Sequence, residues 1–134
     1  MKIKTAMIAA VCLGLTLAGG LSAGLAQQSG IKRTLLLKQD ISAEGREVVM
    51  ATAEIAAGGA AGKHYHHGEE VGYVLEGETV LEIEGQPTLT LKPGQSYSIP
   101  SGKVHDAKAS AGAPAKVLAV YIVEKGKPLA EPVK

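Results

Sequence analysis

Residues 58–77 read GGAAGKHYHHGEEVGYVLEG, and this stretch decides the fold. On a β-strand His64 and His66 project from the same face, because successive side chains alternate between the two faces. Glu70 keeps the same parity, so a bend before it would bring its carboxylate to the same point. Two imidazoles and a carboxylate at neighbouring inward positions suit a borderline divalent ion. His67 has the opposite parity and is expected to lie outside that set.

A second segment, residues 94–105, reads GQSYSIPSGKVH and ends in a further histidine. Gly94 closes one turn, and Pro100 with Gly102 forms another, which places His105 at the start of a strand. Taken alone, three histidines within four residues fit either a metal site or a solvated polar loop. The second segment decides between these readings when the two segments are considered together.

Together the two segments resemble the two motifs of the cupin family. The first motif of that family is a glycine, a His-x-His pair, a glutamate and a glycine at these spacings. The second is a glycine, a proline, a glycine and a histidine. Nine anchor positions match: Gly58, His64, His66, Glu70, Gly77, Gly94, Pro100, Gly102 and His105. Ala109 departs from the pattern, because the second motif often ends in asparagine there, and this removes a polar contact inside the barrel.

The resemblance implies both a fold and a metal site. The fold would be all-β, a double-stranded β-helix (a cupin jelly-roll barrel) that forms a single domain after the N-terminal segment. Its mouth would hold one divalent metal ion on His64, His66, Glu70 and His105, leaving two positions of an octahedron open. Nitrogen and oxygen ligands without a thiolate suit Fe, Mn, Ni, Cu or Zn, so the identity of the metal stays open.

The rest of the chain agrees with that fold, because it reads as short strands separated by glycine and proline turns. Predicted strands cover residues 31–37, 47–55, 70–75, 78–83, 88–91, 97–99, 104–109 and 117–123. In the fourth of these, Thr79, Leu81 and Ile83 alternate with mostly acidic residues, which predicts one buried and one solvated face. Residues 117–123 are apolar without alternation, so both faces of that strand are predicted to be covered, by the second sheet or by another subunit.

The first 26 residues are predicted to be a signal peptide. Lys2 and Lys4 give a basic start, residues 6–17 are apolar, and small residues lead to Ala26, the predicted last residue removed. An uncleaved anchor is the alternative, because residues 6–26 carry no charge. Without a twin arginine the general export route is favoured, so the protein would be periplasmic or secreted.

Cleavage would leave three parts: residues 27–45, an N-terminal strand and connection; residues 46–124, the barrel; and residues 125–134, a loose tail. It would also remove Cys12, the only cysteine of the 134 residues, and with it any disulfide or thiolate chemistry. The formal charge would fall from +1 to about −1. No basic stripe is present, so nucleic acid is not an expected partner.

The pocket wall is predicted to be apolar beyond the four ligands. Gly72 and Ala107 point the same way as the ligands, so they either leave room for a small, partly hydrophobic ligand or fit the taper of a narrow barrel. Tyr97 and Tyr121 are candidates to supply a proton or to stack on a ligand, or else are core residues with a solvated hydroxyl. Asp106 has the outward parity and is expected to be an exposed acid.

These observations favour an exported metal-dependent enzyme that acts on a small organic molecule. A dioxygenase-type reaction comes first, because it needs only an ion and a dry pocket, and an isomerase or lyase is second. The alternative is a non-catalytic module of the cell envelope that binds a small molecule or a metal. A purely structural barrel is the third reading. No membrane contact is expected after cleavage, and a homodimer is compatible with the apolar strand 117–123.

Overall fold

The computed structural model describes residues 30–134, and the predicted signal peptide lies outside the described residues. The described part contains strands and no α-helix. The strands are β1 (Ile31–Asp40), β2 (Arg46–Ile55), β3 (His64–Tyr65), β4 (Gly68–Glu76), β5 (Thr79–Ile83), β6 (Leu89–Leu91), β7 (Ser96–Ile99), β8 (His105–Ala109), β9 (Ala115–Glu124) and β10 (Glu131–Pro132). Residues 30–134 include no helix with the length and apolarity needed to cross a membrane.

The strands form two five-stranded antiparallel sheets. One sheet has the order β1-β2-β9-β4-β7, and the other has the order β10-β3-β8-β5-β6. Most neighbours in these sheets are distant in sequence, as in a jelly roll, where the chain passes repeatedly from one sheet to the other. The predicted all-β double-stranded β-helix is therefore confirmed.

The inner face of the first sheet can be identified from the alternation of buried residues along β2. In β2 the residues Val49, Ala51, Ala53 and Ile55 are buried, whereas the residues between them are half-buried. Apolar side chains at every second position lie on one face of a strand, so this pattern places that face against the core. The core is aliphatic, as the composition requires, with Tyr97 and Tyr121 among its buried side chains.

Strand β9 differs from its prediction. Its inward residues, among them Val117 and Tyr121, are buried, but Leu118 and Val120 are only half-buried and Ile122 is 37% exposed. The strand alternates in burial although it does not alternate in polarity, because its outward positions also carry aliphatic residues. The described chain covers one face of β9, so the domain's own second sheet does not cover both faces, and cover of the other face by another subunit stays a prediction.

The C-terminal tail also differs from its prediction. The sequence predicts a loose segment over residues 125–134, but β10 pairs with β3 through Glu131 with Tyr65 and Pro132 with His64. Ala130 is buried, and the Val133 amide donates to the Lys63 carbonyl at 2.9 Å. Backbone groups of a two-residue edge strand are satisfied by this pairing, which holds the tail against the sheet that carries the histidines.

Candidate metal centre

The fold brings the four residues of the predicted metal site together from three strands and one connection. His64 in β3 pairs across the sheet with His105, the first residue of β8. His66 lies in the connection between β3 and β4, and Glu70 faces inward from β4 between Ile99 and Tyr121. All four side chains are buried, with 2–5% of their surface exposed.

The side-chain atoms of this group are close enough to share one ion. One ring nitrogen from each of His64, His66 and His105 lies within 4.8 Å of the others, so these three could hold a metal ion. Glu70 Oε2 lies 2.9 Å from His66 Nε2 and 3.5 Å from His105 Nε2. His67 lies outside the group, as predicted, with its Nε2 3.3 Å from Glu131 Oε1 on the surface.

Backbone carbonyls fix which nitrogen of each ring points at the centre. The Nδ1–H groups donate to Gly62 O at 2.7 Å from His64, to Lys103 O at 2.9 Å from His105, and to Leu129 O from His66. A carbonyl oxygen can only accept, so each Nδ1 carries a hydrogen, and Nε2 is the ring nitrogen that is left to bind an ion at the centre. Metal-binding histidines are oriented in this way in proteins generally.

The hydrogen bonding of His66 Nε2 indicates whether a metal ion fits the site. His66 Nε2 has no hydrogen-bond partner of acceptable geometry among the described residues, although Glu70 Oε2 is only 2.9 Å away. A lone pair that faces a carboxylate oxygen at this distance repels it unless a proton or a cation lies between them. Since three rings offer lone pairs to the same region, a divalent ion satisfies all four groups, and the residues present fit it.

Two of the four residues have pKa values that favour their metal-binding forms. Burial, with the nearby His105, lowers the pKa of His64 to about 3, so this ring is neutral at physiological pH. Burial alone would raise the pKa of Glu70, but its contacts with His105 and His66 outweigh burial and hold the pKa well below its usual range. Neutral imidazole at His64 and carboxylate at Glu70 are the forms that bind a metal.

Tyr97 is the hydrogen-bond partner of the second carboxylate oxygen of Glu70. Its hydroxyl donates to Glu70 Oε1 at 2.8 Å, and burial with the nearby carboxylate raises its pKa well above the usual value, so it stays a donor. Its ring lies across Gly72, where an added Cβ would stand 2.1 Å from Cζ of the ring. Gly72 therefore makes room for Tyr97 rather than for a ligand, and of the two alternatives for Tyr97 the solvated hydroxyl is wrong.

Arg33 is the site residue that the sequence reasoning missed. It lies half-buried in β1, and its Nη2 is 3.4 Å from His64 Nε2. It lines a small cavity of about 20 Å³ together with His64, Glu70 and Tyr121. The signal was available, because Arg33 has the same parity as Ile31, which is buried in the same strand. The prediction of an apolar wall is thus wrong at this position.

Asp106 is not one of the four candidate ligands, but it contacts the turn that precedes His64. Its parity predicts an exposed side chain, which is wrong: Asp106 is buried, and its Oδ1 accepts a hydrogen bond from the Gly62 amide at 2.9 Å. The carbonyl of the same glycine accepts from His64 Nδ1. Asp106 therefore fixes the turn that orients His64, and a buried carboxylate is tolerated there because a backbone N–H satisfies it.

The chain is similar to a known regulator in part of its sequence and to two solved structures in its fold. The HTH-type transcriptional regulator PuuR of Escherichia coli (strain K12) is 54% identical over 48 residues, which make up 35% of this chain and 25% of PuuR. The chain thus spans a quarter of the length of that relative. The polyketide cyclase RemF from Streptomyces resistomycificus matches with a TM-score of 0.63 at 25% identity, over 81% of this chain and 74% of RemF.

The DMSP lyase DddQ from Ruegeria pomeroyi DSS-3 matches with a TM-score of 0.66 at 21% identity, over 77% of this chain and 51% of DddQ. At this identity the likeness concerns the fold alone. The cupin domain family matches residues 51–121, which is more than half of the chain and contains all four residues of the centre. The chain therefore belongs to the cupin family.

Proposed function

We propose that this protein is an exported metal-dependent enzyme acting on a small organic molecule, with a dioxygenase-type reaction as the first expectation and an isomerase or lyase reaction as the second. One observation carries the proposal: three rings, each held by a backbone carbonyl, direct their Nε2 atoms to one region beside the Glu70 carboxylate. Holding four polar side chains in a buried place costs stability, and a bound ion offsets that cost.

His64, His66, Glu70 and His105 are the proposed ligands of one divalent ion, namely Fe, Mn, Ni, Cu or Zn. Such an ion supplies a Lewis acid or, when it is redox-active, a means of activating oxygen. Tyr97 holds the Glu70 carboxylate in place through its hydroxyl, whose oxygen lies 2.8 Å from Glu70 Oε1. Buried aliphatic side chains such as Val117 and Leu81 line the adjoining cavity and exclude water.

The proposal is tested by the metal content of the protein purified from its native location. Wild-type protein should carry about one equivalent of metal, and a His64→Ala, His105→Ala double variant should carry none. His67→Ala is the matched control, because it removes a neighbouring histidine outside the group and should keep the metal. A redox metal, with oxygen consumption when small-molecule extracts are added, supports the dioxygenase-type reaction. Zinc with turnover but without oxygen consumption supports the isomerase or lyase.

A non-catalytic binding module is the second candidate, and the segment shared with PuuR favours it. That relative is named as a transcriptional regulator, and 48 residues of this chain are 54% identical to it. A binding module would take up a small molecule or a metal and release it unchanged. Recovery of unchanged ligand from the protein, with no product in any extract, would favour this function over catalysis.

Export rests on the sequence alone. The basic start, apolar run and small residues of the first 26 residues support cleavage after Ala26 and delivery to the periplasm or the medium. The mass of the protein recovered from the periplasmic fraction should correspond to a chain that begins at Gln27. A full-length mass in the membrane fraction would instead support the uncleaved anchor.

A further inference from the structure

Arg33 places a permanent positive charge beside the metal centre. It comes from β1, where it pairs with the buried Ala53 and shares the inward face of Ile31. The guanidinium Nη2 approaches His64 Nε2, one of the three nitrogens that would bind the ion, to 3.4 Å. A guanidinium keeps its charge at any physiological pH, so its neighbours must balance it.

The charges around the cavity balance only in the absence of the ion. A carboxylate binds a metal as an anion, so Glu70 contributes one negative charge and Arg33 one positive charge, and the Tyr97 hydroxyl, which donates to Glu70, keeps its proton. Histidines that bind a metal are neutral as well. With a divalent ion bound, a net charge of about +2 would remain in a partly enclosed cavity, which is costly in a low dielectric. A ligand that enters the loaded site is therefore favoured when it brings negative charge.

The planar shape of the Arg33 guanidinium favours one class of anion, the carboxylates. Its planar array of N–H donors matches the two oxygens of a carboxylate, whereas a lysine would act as a point charge. The cavity beside it holds about 20 Å³, the space of a single water molecule. A bound ion would repel the guanidinium, so the Arg33 side chain would move away from His64. This movement would open the space that the side chain now fills. The ligand is thus small, and its charged end lies between Arg33 and the ion.

We propose that the substrate or ligand of this protein is a small organic carboxylate, bound through its carboxylate by Arg33 beside the metal centre. The inference rests on the proposed metal site and deepens it, because it assigns a chemical class to the molecule that the site accepts. It also makes the binding of metal and carboxylate mutually favourable, since each relieves the charge that the other leaves unbalanced.

The test uses L-lactate as the probe and L-lactamide as its uncharged counterpart of the same shape. Zinc is diamagnetic, so binding to zinc-loaded ¹⁵N-labelled protein can be followed by NMR. Wild-type protein should bind lactate at least about tenfold more tightly than lactamide, as expected for a charge-assisted hydrogen bond. Arg33→Gln should abolish this preference and keep one equivalent of zinc. Lys32→Gln, the matched control on the exposed face of β1, should retain it.

A readout without substitution keeps the test independent of folding. The side-chain Nε–H signal of Arg33 in the wild type should shift with lactate and remain still with lactamide. Equal binding of the two probes, or lactate binding in zinc-loaded Arg33→Gln as tight as in the wild type, would overturn the carboxylate inference while the metal site stands. Absence of zinc from the wild-type protein would overturn both the metal site and the carboxylate inference. The metal analysis detects this outcome before any probe is added.

Discussion

Replacing Gly72 with alanine is expected to disturb the metal centre without altering any ligand. The added Cβ would stand 2.1 Å from Cζ of Tyr97 and 2.4 Å from its hydroxyl oxygen. Carbon atoms in contact are ordinarily about 3.5–4.0 Å apart, so the ring must move by more than about 1 Å. A movement of this size breaks the 2.8 Å hydrogen bond from Tyr97 to Glu70.

The magnitude follows from the two costs of that movement. Overpacking a filled site costs about 1–3 kcal/mol, and a hydrogen bond to a charged group contributes about 1.5–3 kcal/mol. The ring relieves the clash by giving up the hydrogen bond, so the two costs overlap. We therefore expect Gly72→Ala to lower the free energy of unfolding by about 3 kcal/mol. Metal affinity should fall by about tenfold or more, because Glu70 loses the group that orients it.

Urea denaturation of metal-free protein measures the first effect, since the absence of metal removes any contribution of binding to stability. Gly112→Ala is the control, because an added Cβ there meets no atom within 4 Å, and its effect should stay within about 0.5 kcal/mol. In a Tyr97→Leu background most of the cost of Gly72→Ala should disappear, because the ring atoms that it would meet are gone. The reasoning is refuted if Gly72→Ala costs the same in both backgrounds, or no more than Gly112→Ala.

Three further predictions concern the tail, the pH and the outer surface. A chain that ends at residue 125 should bind metal at least about tenfold more weakly in a zinc competition assay, because His66 loses the Leu129 carbonyl that orients it. The pKa of His64 is lowered in the folded state to about 3, so the unfolded chain binds more protons below pH 6.5. Metal-free protein should thus lose about 3 kcal/mol in its free energy of unfolding, measured with urea, between pH 7 and pH 4. The uncovered apolar face of β9 should pair two copies in a dimer by sedimentation, and Ile122→Glu should make it a monomer.

Each of these predictions has an outcome that would contradict it. A chain that ends at residue 132 keeps the tail pairing, and equal zinc affinity in the two truncated chains would refute the role of the Leu129 carbonyl. A His64→Gln variant should lose most of the slope between pH 7 and pH 4, and an unchanged slope would show that other groups cause it. A wild-type protein that sediments as a monomer at micromolar concentration would refute the dimer.

The residues of the metal centre could be predicted from the sequence because their spacing is local. His64, His66 and Glu70 lie within seven residues, and a strand period of two decides which of them point inward. His105 required the resemblance to a family, since the pairing of β3 with β8 joins residues that lie far apart in the chain. The strands themselves were predictable from their turns and their composition.

What escaped prediction depends on contacts between distant segments. β10 pairs with β3 over only two residues, and so short a strand has no recognisable sequence pattern. The sequence therefore predicted a loose tail. In β9, aliphatic residues on the outward face hid the alternation of burial. Arg33 and Asp106 are charged residues whose burial depends on contacts with distant segments: Arg33 approaches His64, and Asp106 accepts a hydrogen bond from the Gly62 amide. Parity predicted an exposed Asp106, which is wrong, and no role was predicted for Arg33.

The hydrogen bond from His66 to Leu129 also makes the order of assembly matter for the metal centre. A chain in which β10 has not yet paired with β3 leaves the His66 ring without the carbonyl that orients it, and so offers a metal ion an incomplete set of oriented ligands. Metal binding and the pairing of β10 should therefore stabilise each other, since each favours the same position of the His66 ring.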